Sequence, residues 1–187
     1  MLLVANGCSH TAGAELEWAT QGDCYEKAWP KHLSDSLGYS HINLSMAGAS
    51  NARVLRTTYE FIYDYKKQGK DFKQLLFVIL WPGLYRTEIY CDKDYLHAHD
   101  NNWTPIVVGN DACYKEFFSH SLYHYYKAWS VISTPYQSSC DFYQTILNLQ
   151  NLFNRYNIKY LFMDSNRRTT IKELSYYTAH IDRKYYE

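Results

Sequence analysis

Short apolar runs alternate along the chain with longer amphipathic segments. Each run is soon followed by glycine or by polar residues, which is typical of a buried strand. The run QLLFVILW is the strongest and is partly β-branched, as expected of a central strand in a parallel sheet. Strands are predicted in this way at residues 2–6, 41–46, 74–81 and 158–165.

The segments between these runs repeat apolar residues at helical spacing. Trp29, Leu33 and Leu37 share one helix face, and Gly38 is a C-terminal stop signal, so a helix is predicted from near Ala28 to Gly38. Helices are also predicted at 51–69, 113–133, 139–157 and 168–186, and a polar, irregular stretch at 92–112.

Strands that alternate with helices predict right-handed βαβ units, and therefore a parallel sheet with helices on both sides. The length of 187 residues suits one domain, and no repeat or linker divides it. Ligands of such sheets bind beyond the carboxyl ends of the strands. Ser9 follows the first strand within residues 7–9, and we therefore expect three other segments to converge on it: residues 47–51, 81–86 and 164–166.

Charge and cysteine content narrow the class of protein. Lys+Arg and Asp+Glu both number 19, so there is no net charge to favour nucleic acid or an anionic membrane as the main partner. The five cysteines are widely spaced and form no CxxC pair, which favours a reducing compartment over a disulfide framework or a structural zinc site. No apolar stretch approaches the roughly 20 residues of a membrane span, and the N-terminus lacks a signal-peptide pattern. A cytoplasmic protein is expected.

The segment after the first predicted strand carries a serine motif. GCSHT, residues 7–11, resembles the first sequence block of the SGNH (GDSL-like) hydrolases, Gly-Asp-Ser-x-Ser/Thr, with Cys8 in place of the aspartate. NLSMAGASN, residues 43–51, resembles the second block, with Gly48 at the glycine whose amide faces the nucleophile. The motifs GCS-T-G and GASN-R are most similar to those of an often phage-borne subgroup, in which a W…R-E segment follows the third strand, here Trp81, Arg86 and Glu88.

The resemblance implies a three-layer α/β/α sandwich with a flavodoxin-like parallel sheet, formed by residues 1–187 as a single domain. It also implies a serine esterase or acyl hydrolase that needs no cofactor or metal. The implied substrate is a small-molecule or carbohydrate ester, such as an acylated carbohydrate or lipid.

The chain departs from the family pattern in two places. The third block, Gly-x-Asn-Asp, is expected after the third strand, where the chain reads WPGLYRTE without asparagine. GND at 109–111 lies too far from the strand to replace it. The fourth block, Asp-x-x-His, is absent from the sequence. Either the sequence is part of a longer protein or the catalytic triad has been lost.

The resemblance gives Ser9 the role of nucleophile. The oxyanion is expected to be held by the backbone amides of Ser9 and Gly48, with Asn51 in place of the missing asparagine. Arg86 is a candidate charged donor or substrate-binding residue. Two structural alternatives stay open, because Gly48 also suits a turn with positive φ and Asn51 also suits a helix N-cap.

A nucleophilic serine needs a base, and no histidine has the family spacing. His180 is C-terminal but precedes Asp182 by only two residues, and His10 is adjacent to Ser9. Cys8 is interpreted as a small buried residue rather than a reactive thiol. His97 and His99, within the acidic stretch 92–100, are interpreted as a solvated loop rather than a metal site.

Three classes of function are therefore considered for this sequence. The first is the serine esterase, which is inactive if its Asp-x-x-His block is missing. The second is a binding or structural module that kept the fold without the chemistry. The third, a nucleotide-binding protein, is disfavoured because the chain has no glycine-rich phosphate loop. The sequence does not indicate an oligomeric state.

Overall fold

A computed structural model describes residues 1–16, 24–91, 102–164 and 174–182. Within these ranges, one parallel sheet contains β1 (Leu2–Gly7), β2 (Ser40–Asn43), β3 (Leu75–Trp81) and β6 (Lys159–Asp164). The strands lie in the order β2-β1-β3-β6, which is the order of neighbouring strands in a flavodoxin-like sheet, so the predicted fold class is confirmed.

The sheet has a helix layer on each face. On one face, α3 (Trp29–Leu37) packs against Leu3 and Ala5. On the other face, α4 (Asn51–Lys67) and α7 (Pro135–Tyr156) contribute to the main core cluster. Side chains alternate between the two faces along β1 and β3, and both strands are almost wholly buried, which explains their continuous apolar sequences.

The helix ends carry ordinary capping signals. Helix α3 follows Ala28, has Pro30 in its first turn and ends at Gly38, whose φ is +65°, as the sequence predicts. Helix α4 is capped by Ser50, whose side chain accepts a hydrogen bond from Arg53 N. The alternative that Asn51 is the N-cap is therefore wrong. Shorter elements include α1 (Ser9–Ala12), α2 (Cys24–Lys27), α8 (Ser175–Thr178) and a 3₁₀ turn (Phe72–Gln74).

An inserted unit separates β3 from α7. It consists of an antiparallel hairpin, β4 (Arg86–Tyr90) and β5 (Trp103–Val107), followed by α5 (Asp111–Phe117) and α6 (His120–Ile132). These elements share their own apolar cluster, which includes Ile106, Tyr114 and Tyr126.

The insertion corrects two predictions. Strand β5 lies inside the stretch predicted to be irregular at 92–112. The single helix predicted at 113–133 is two helices, because Phe118 is extended and the Ser119 side chain caps a new helix by accepting from Leu122 N.

Candidate functional site

Ser9 lies directly after the central strand β1, at the carboxyl edge of the sheet. It is the first residue of α1 and half-buried, and its carbonyl accepts the hydrogen bond from Gly13 N that closes this short helix. Its hydroxyl makes no hydrogen bond to any residue that the structure describes. Cys8, the preceding residue, is only 1% exposed, in agreement with its interpretation as a small buried residue.

Gly7 allows the chain to turn from β1 into α1. A Cβ atom at this position would lie 2.7 Å from the carbonyl oxygen of Leu80 on β3, and closer still to Oγ1 of Thr11. Because the backbone of the neighbouring strand cannot move aside cheaply, only glycine fits between β3 and the first turn of α1.

Asn6 fixes the end of β1 against α4. Its Nδ2 donates hydrogen bonds to Val54 O at 3.2 Å, Thr57 Oγ1 at 2.9 Å and Thr58 Oγ1 at 3.1 Å. Its Oδ1 accepts from Gly7 N at 2.9 Å. The side chain is fully buried, so these bonds satisfy an amide that would otherwise be costly. Sequence reasoning missed this residue, although an asparagine inside a buried apolar run is itself a signal.

Asn43 joins the loop after β2 to the turn that carries Ser9. Its Nδ2 donates to Thr11 O at 2.8 Å, and its Oδ1 accepts from Ser45 N at 3.1 Å and from the Ser45 hydroxyl. Two backbone bonds continue this contact, from Leu44 N to Ala5 O and from Met46 N to Gly7 O. The loop that leads to Gly48 therefore runs beside the end of β1.

Gly48 occupies a turn with φ of +77°, which agrees with its interpretation as a position that favours glycine. A Cβ atom there would lie 3.8 Å from Pro105 on β5. Gly48 lines a mainly apolar cavity of about 290 Å³, here called the Gly48 cavity, together with Pro105, Tyr114, Phe117 and Phe118.

Asn51 and Arg86 lie together in a second cavity of about 230 Å³, here called the Arg86 cavity. Arg86 Nη1 donates to the carbonyl oxygen of Ala49 at 3.4 Å, a weak contact with the loop after β2. Ser9 lines neither of the two cavities. The structure thus brings Asn51 and Arg86 together, whereas Gly48 lines a different cavity.

The W…R-E segment has a structural role at two of its three positions. Trp81 is fully buried in the main core, where its ring contacts Phe142 and Phe162. Glu88 accepts two hydrogen bonds from Arg56, at 2.8 Å from Nε and 3.0 Å from Nη2. This pair attaches the inserted hairpin to α4.

No described histidine is hydrogen-bonded to Ser9. His10 is exposed on α1. The carbonyl of His180 accepts from Gln150 Nε2 at 2.9 Å, which holds that residue beside the middle of α7. His120 and His124 are paired with each other on α6, at 3.0 Å between their Nε2 atoms.

Several predictions concern other kinds of site. The segment with His97 and His99 lies outside the described residues. Within the described ranges, no group of three or more His, Cys, Asp or Glu side chains is arranged to hold a metal ion. All five cysteines are described and none forms a disulfide. No described helix has the length and apolar character needed to cross a membrane.

The family model DUF6071, described as a family of unknown function, matches residues 19–183. The chain belongs to this family. No curated protein matches this DUF6071 chain.

Two solved structures are similar to the DUF6071 chain at low identity. TesA has 15% identity and a TM-score of 0.39, over 87% of this chain and 59% of that one. An acetyl xylan esterase, AlAXEase, has 14% identity and a TM-score of 0.37, over 98% of this chain and 71% of that one. The chain therefore spans less than two thirds of the length of TesA.

Proposed function

We propose that the chain is a serine ester hydrolase of the SGNH type, with Ser9 as the nucleophile. The observation that supports this most is the position of Ser9 at the carboxyl end of the central strand, where it is half-buried and its hydroxyl bonds to no described residue. Open parallel sheets bind their ligands at this edge. Asn6, Gly7 and Asn43 hold the turn that carries Ser9, as a positioned nucleophile requires.

In this proposal, Ser9 Oγ attacks the acyl carbonyl of an ester and transfers its proton to a base. The carbonyl oxygen becomes an oxyanion, which accepts hydrogen bonds from the backbone amides of Ser9 and Gly48. The alcohol then leaves with a proton, and water hydrolyses the acyl-serine. The oxyanion role of Asn51 stays a prediction, since Asn51 lines a different cavity from Gly48.

The proposal requires a base at Ser9. A catalytic hydrogen bond is often long or poorly aligned without substrate, so the lack of a bond from the Ser9 hydroxyl to a described residue does not exclude a base. His10 and His180 are the residues to substitute first. Loss of turnover in one of these variants, with binding retained, identifies the base.

The Gly48 cavity favours an apolar acyl group. It adjoins the proposed oxyanion amide, and its walls are contributed by Pro105, Phe117 and Phe118. We therefore propose the acyl esters of small alcohols or carbohydrates as the substrate class.

The test is hydrolysis of p-nitrophenyl acetate and butyrate by the full chain, with the variant Ser9→Ala. Ser36→Ala is the matched control, because Ser36 is exposed on α3 and bonds only within that helix, to His32 O. We expect Ser9→Ala to lose at least 100-fold in turnover and Ser36→Ala to be unchanged. Equal turnover by Ser9→Ala and the wild type would exclude Ser9 as the nucleophile.

A second candidate is a binding module that kept the fold without catalysis. It is favoured by two absences among the described residues: no histidine is bonded to Ser9, and no donor is bonded to Oδ1 of Asn51, which lines the Arg86 cavity. A fluorophosphonate probe distinguishes the two candidates. Covalent labelling of Ser9, read by mass spectrometry, supports the enzyme, whereas an unlabelled Ser9 supports the binding module.

A further inference from the structure

The Arg86 cavity combines one cationic side chain with a helix N-terminus. It lies between the start of α4, the start of β4 and the first turns of α7. Leu84, Trp129 and Phe142 supply apolar walls, and Asn51 and Arg86 supply hydrogen-bond donors. We propose that this cavity binds the carboxylate of a small organic acid. The proposal goes beyond the ester hydrolase and does not depend on Ser9.

Arg86 has a guanidinium without a carboxylate partner in the described part of the chain. Arg86 is half-buried, and its side chain makes one hydrogen bond to a described residue, the 3.4 Å contact to Ala49 O. The nearby carboxylate of Glu88 is already paired with Arg56. A half-buried guanidinium favours a bound anion, and its planar fork matches the two oxygens of a carboxylate.

The first residues of α4 add donors to the same cavity. Asn51 and Ala52 both line it, and their backbone N–H groups have no acceptor within the helix because they belong to its first turn. Ser50 caps the N–H of Arg53 instead. The N-terminus of this helix of 17 residues also carries partial positive charge, which favours an anion.

The Asn51 side chain is the independent sign that a ligand belongs here. It is only 7% exposed, and its Oδ1 accepts no hydrogen bond from the residues that the structure describes. A buried amide oxygen that accepts no hydrogen bond is uncommon, because desolvation without a replacing bond is unfavourable. Since no described residue fixes the orientation of this carboxamide, it is free to turn its NH₂ group toward a carboxylate.

Among the described residues, Asp141 is the one carboxylate that lines the cavity. It is exposed, and its Oδ1 accepts a hydrogen bond from Gln137 Nε2 at 2.7 Å. It makes no ion pair with Arg86 within the described residues. Water screens the charge of Asp141 more than that of Arg86, so the cavity still favours an anion, and neutralising Asp141 is expected to tighten binding.

The cavity size limits the ligand. A volume of about 230 Å³ is below the ~300–1,000 Å³ of pockets that hold drug-sized molecules. An acetate or benzoate ion is of suitable size, and Trp129 and Phe142 can contact the ring of benzoate. Isothermal titration calorimetry at low ionic strength tests this with sodium acetate, sodium benzoate and neutral benzamide.

We expect benzoate to bind at least tenfold more tightly than benzamide. Arg86→Gln should weaken benzoate at least tenfold, and Asp141→Asn should strengthen it. Arg155→Gln, near the opposite end of α7, is the control and should leave the affinity unchanged. Asn51→Asp should abolish binding by repulsion while the helix remains stable, because a carboxylate at a helix N-terminus is favourable.

Four outcomes overturn the proposal. The first is that neither acetate nor benzoate binds, and the second is that benzamide binds as well as benzoate. The third is that Arg86→Gln and Asn51→Asp both bind benzoate like the wild type. Tighter binding of inorganic phosphate than of benzoate also rejects the carboxylate, in favour of a tetrahedral anion. If Arg86→Gln fails to fold, judged by circular dichroism, Asn51→Asp decides. Ser9→Ala should bind benzoate normally, so failure of the ester hydrolase leaves this test intact.

Discussion

The side-chain amide of Asn43 donates a hydrogen bond to the backbone carbonyl of Thr11, with 2.8 Å between Nδ2 and O. This bond joins the end of β2 to α1, the helix that begins at Ser9. The same side chain accepts from Ser45 N, at the start of the loop that leads to Gly48. One asparagine therefore positions two of the predicted site segments relative to each other.

Asn43→Ala should lower the free energy of unfolding by about 1–3 kcal/mol, because Thr11 O and Ser45 N lose their partner in a half-buried place. Urea denaturation followed by circular dichroism measures this. Asn148→Ala is the matched control, since Asn148 is exposed on α7 and its loss should change stability by less than about 0.5 kcal/mol. Equal effects of the two substitutions would show that the Asn43 bonds contribute nothing.

Gly7→Ala should be strongly destabilising, by about 2–3 kcal/mol or more, because the added methyl group meets the Leu80 carbonyl and the Thr11 side chain. Gly38→Ala is the control, because it adds backbone strain without steric conflict. Its φ is +65° but its methyl group would meet nothing within 4 Å, so about 1 kcal/mol is expected. A Gly7→Ala protein as stable as Gly38→Ala would contradict the close packing of β1, β3 and α1.

Strands β1 and β3 were predictable because burial on both faces imposes continuous apolar sequences. The hairpin strands were not, since Arg86–Tyr90 is only half-buried and mixes charged with apolar residues. Their pairing and the contact of Glu88 with Arg56 hold them in place, and neither has a local sequence signal.

The candidate site, like the strands, was predictable from the sequence only in part. The position of Ser9 and the turn at Gly48 follow from the rule that parallel strands end at one edge of the sheet. The residues that accept from Nδ2 of Asn6 and of Asn43 lie 32 to 52 residues away in sequence, so no periodicity indicates them. The two cavities depend on the inserted unit, whose helix break at Phe118 is set by the cap at Ser119 rather than by hydrophobic spacing.

Glu88→Ala should lower the free energy of unfolding by about 2–4 kcal/mol, because it leaves the guanidinium of Arg56 without its two-bond partner. The Glu88 side chain is 5% exposed, so water replaces it poorly. Glu60→Ala removes the other carboxylate on Arg56, which is 58% exposed, and should cost less than about 0.5 kcal/mol. Thermal and urea unfolding measure both variants, and the reverse order of effects would contradict the assignment.

Cys91 and Cys113 should differ sharply in reactivity toward iodoacetamide. Burial raises the pKa of the Cys91 thiol above its ordinary value of 9.0, an effect that the Thr104 hydroxyl partly opposes, so less reactive thiolate is present at pH 8. Cys113 is exposed on the wall of the Gly48 cavity. We expect peptide mass spectrometry to show Cys113 alkylated first in the native protein, and Cys91 only at higher pH or in urea. Cys113→Ser should remove the fast phase of alkylation. Fast alkylation of Cys91 in the native protein would contradict this expectation. It would mean that the hairpin opens readily and that the cavity walls supplied by the hairpin are not fixed.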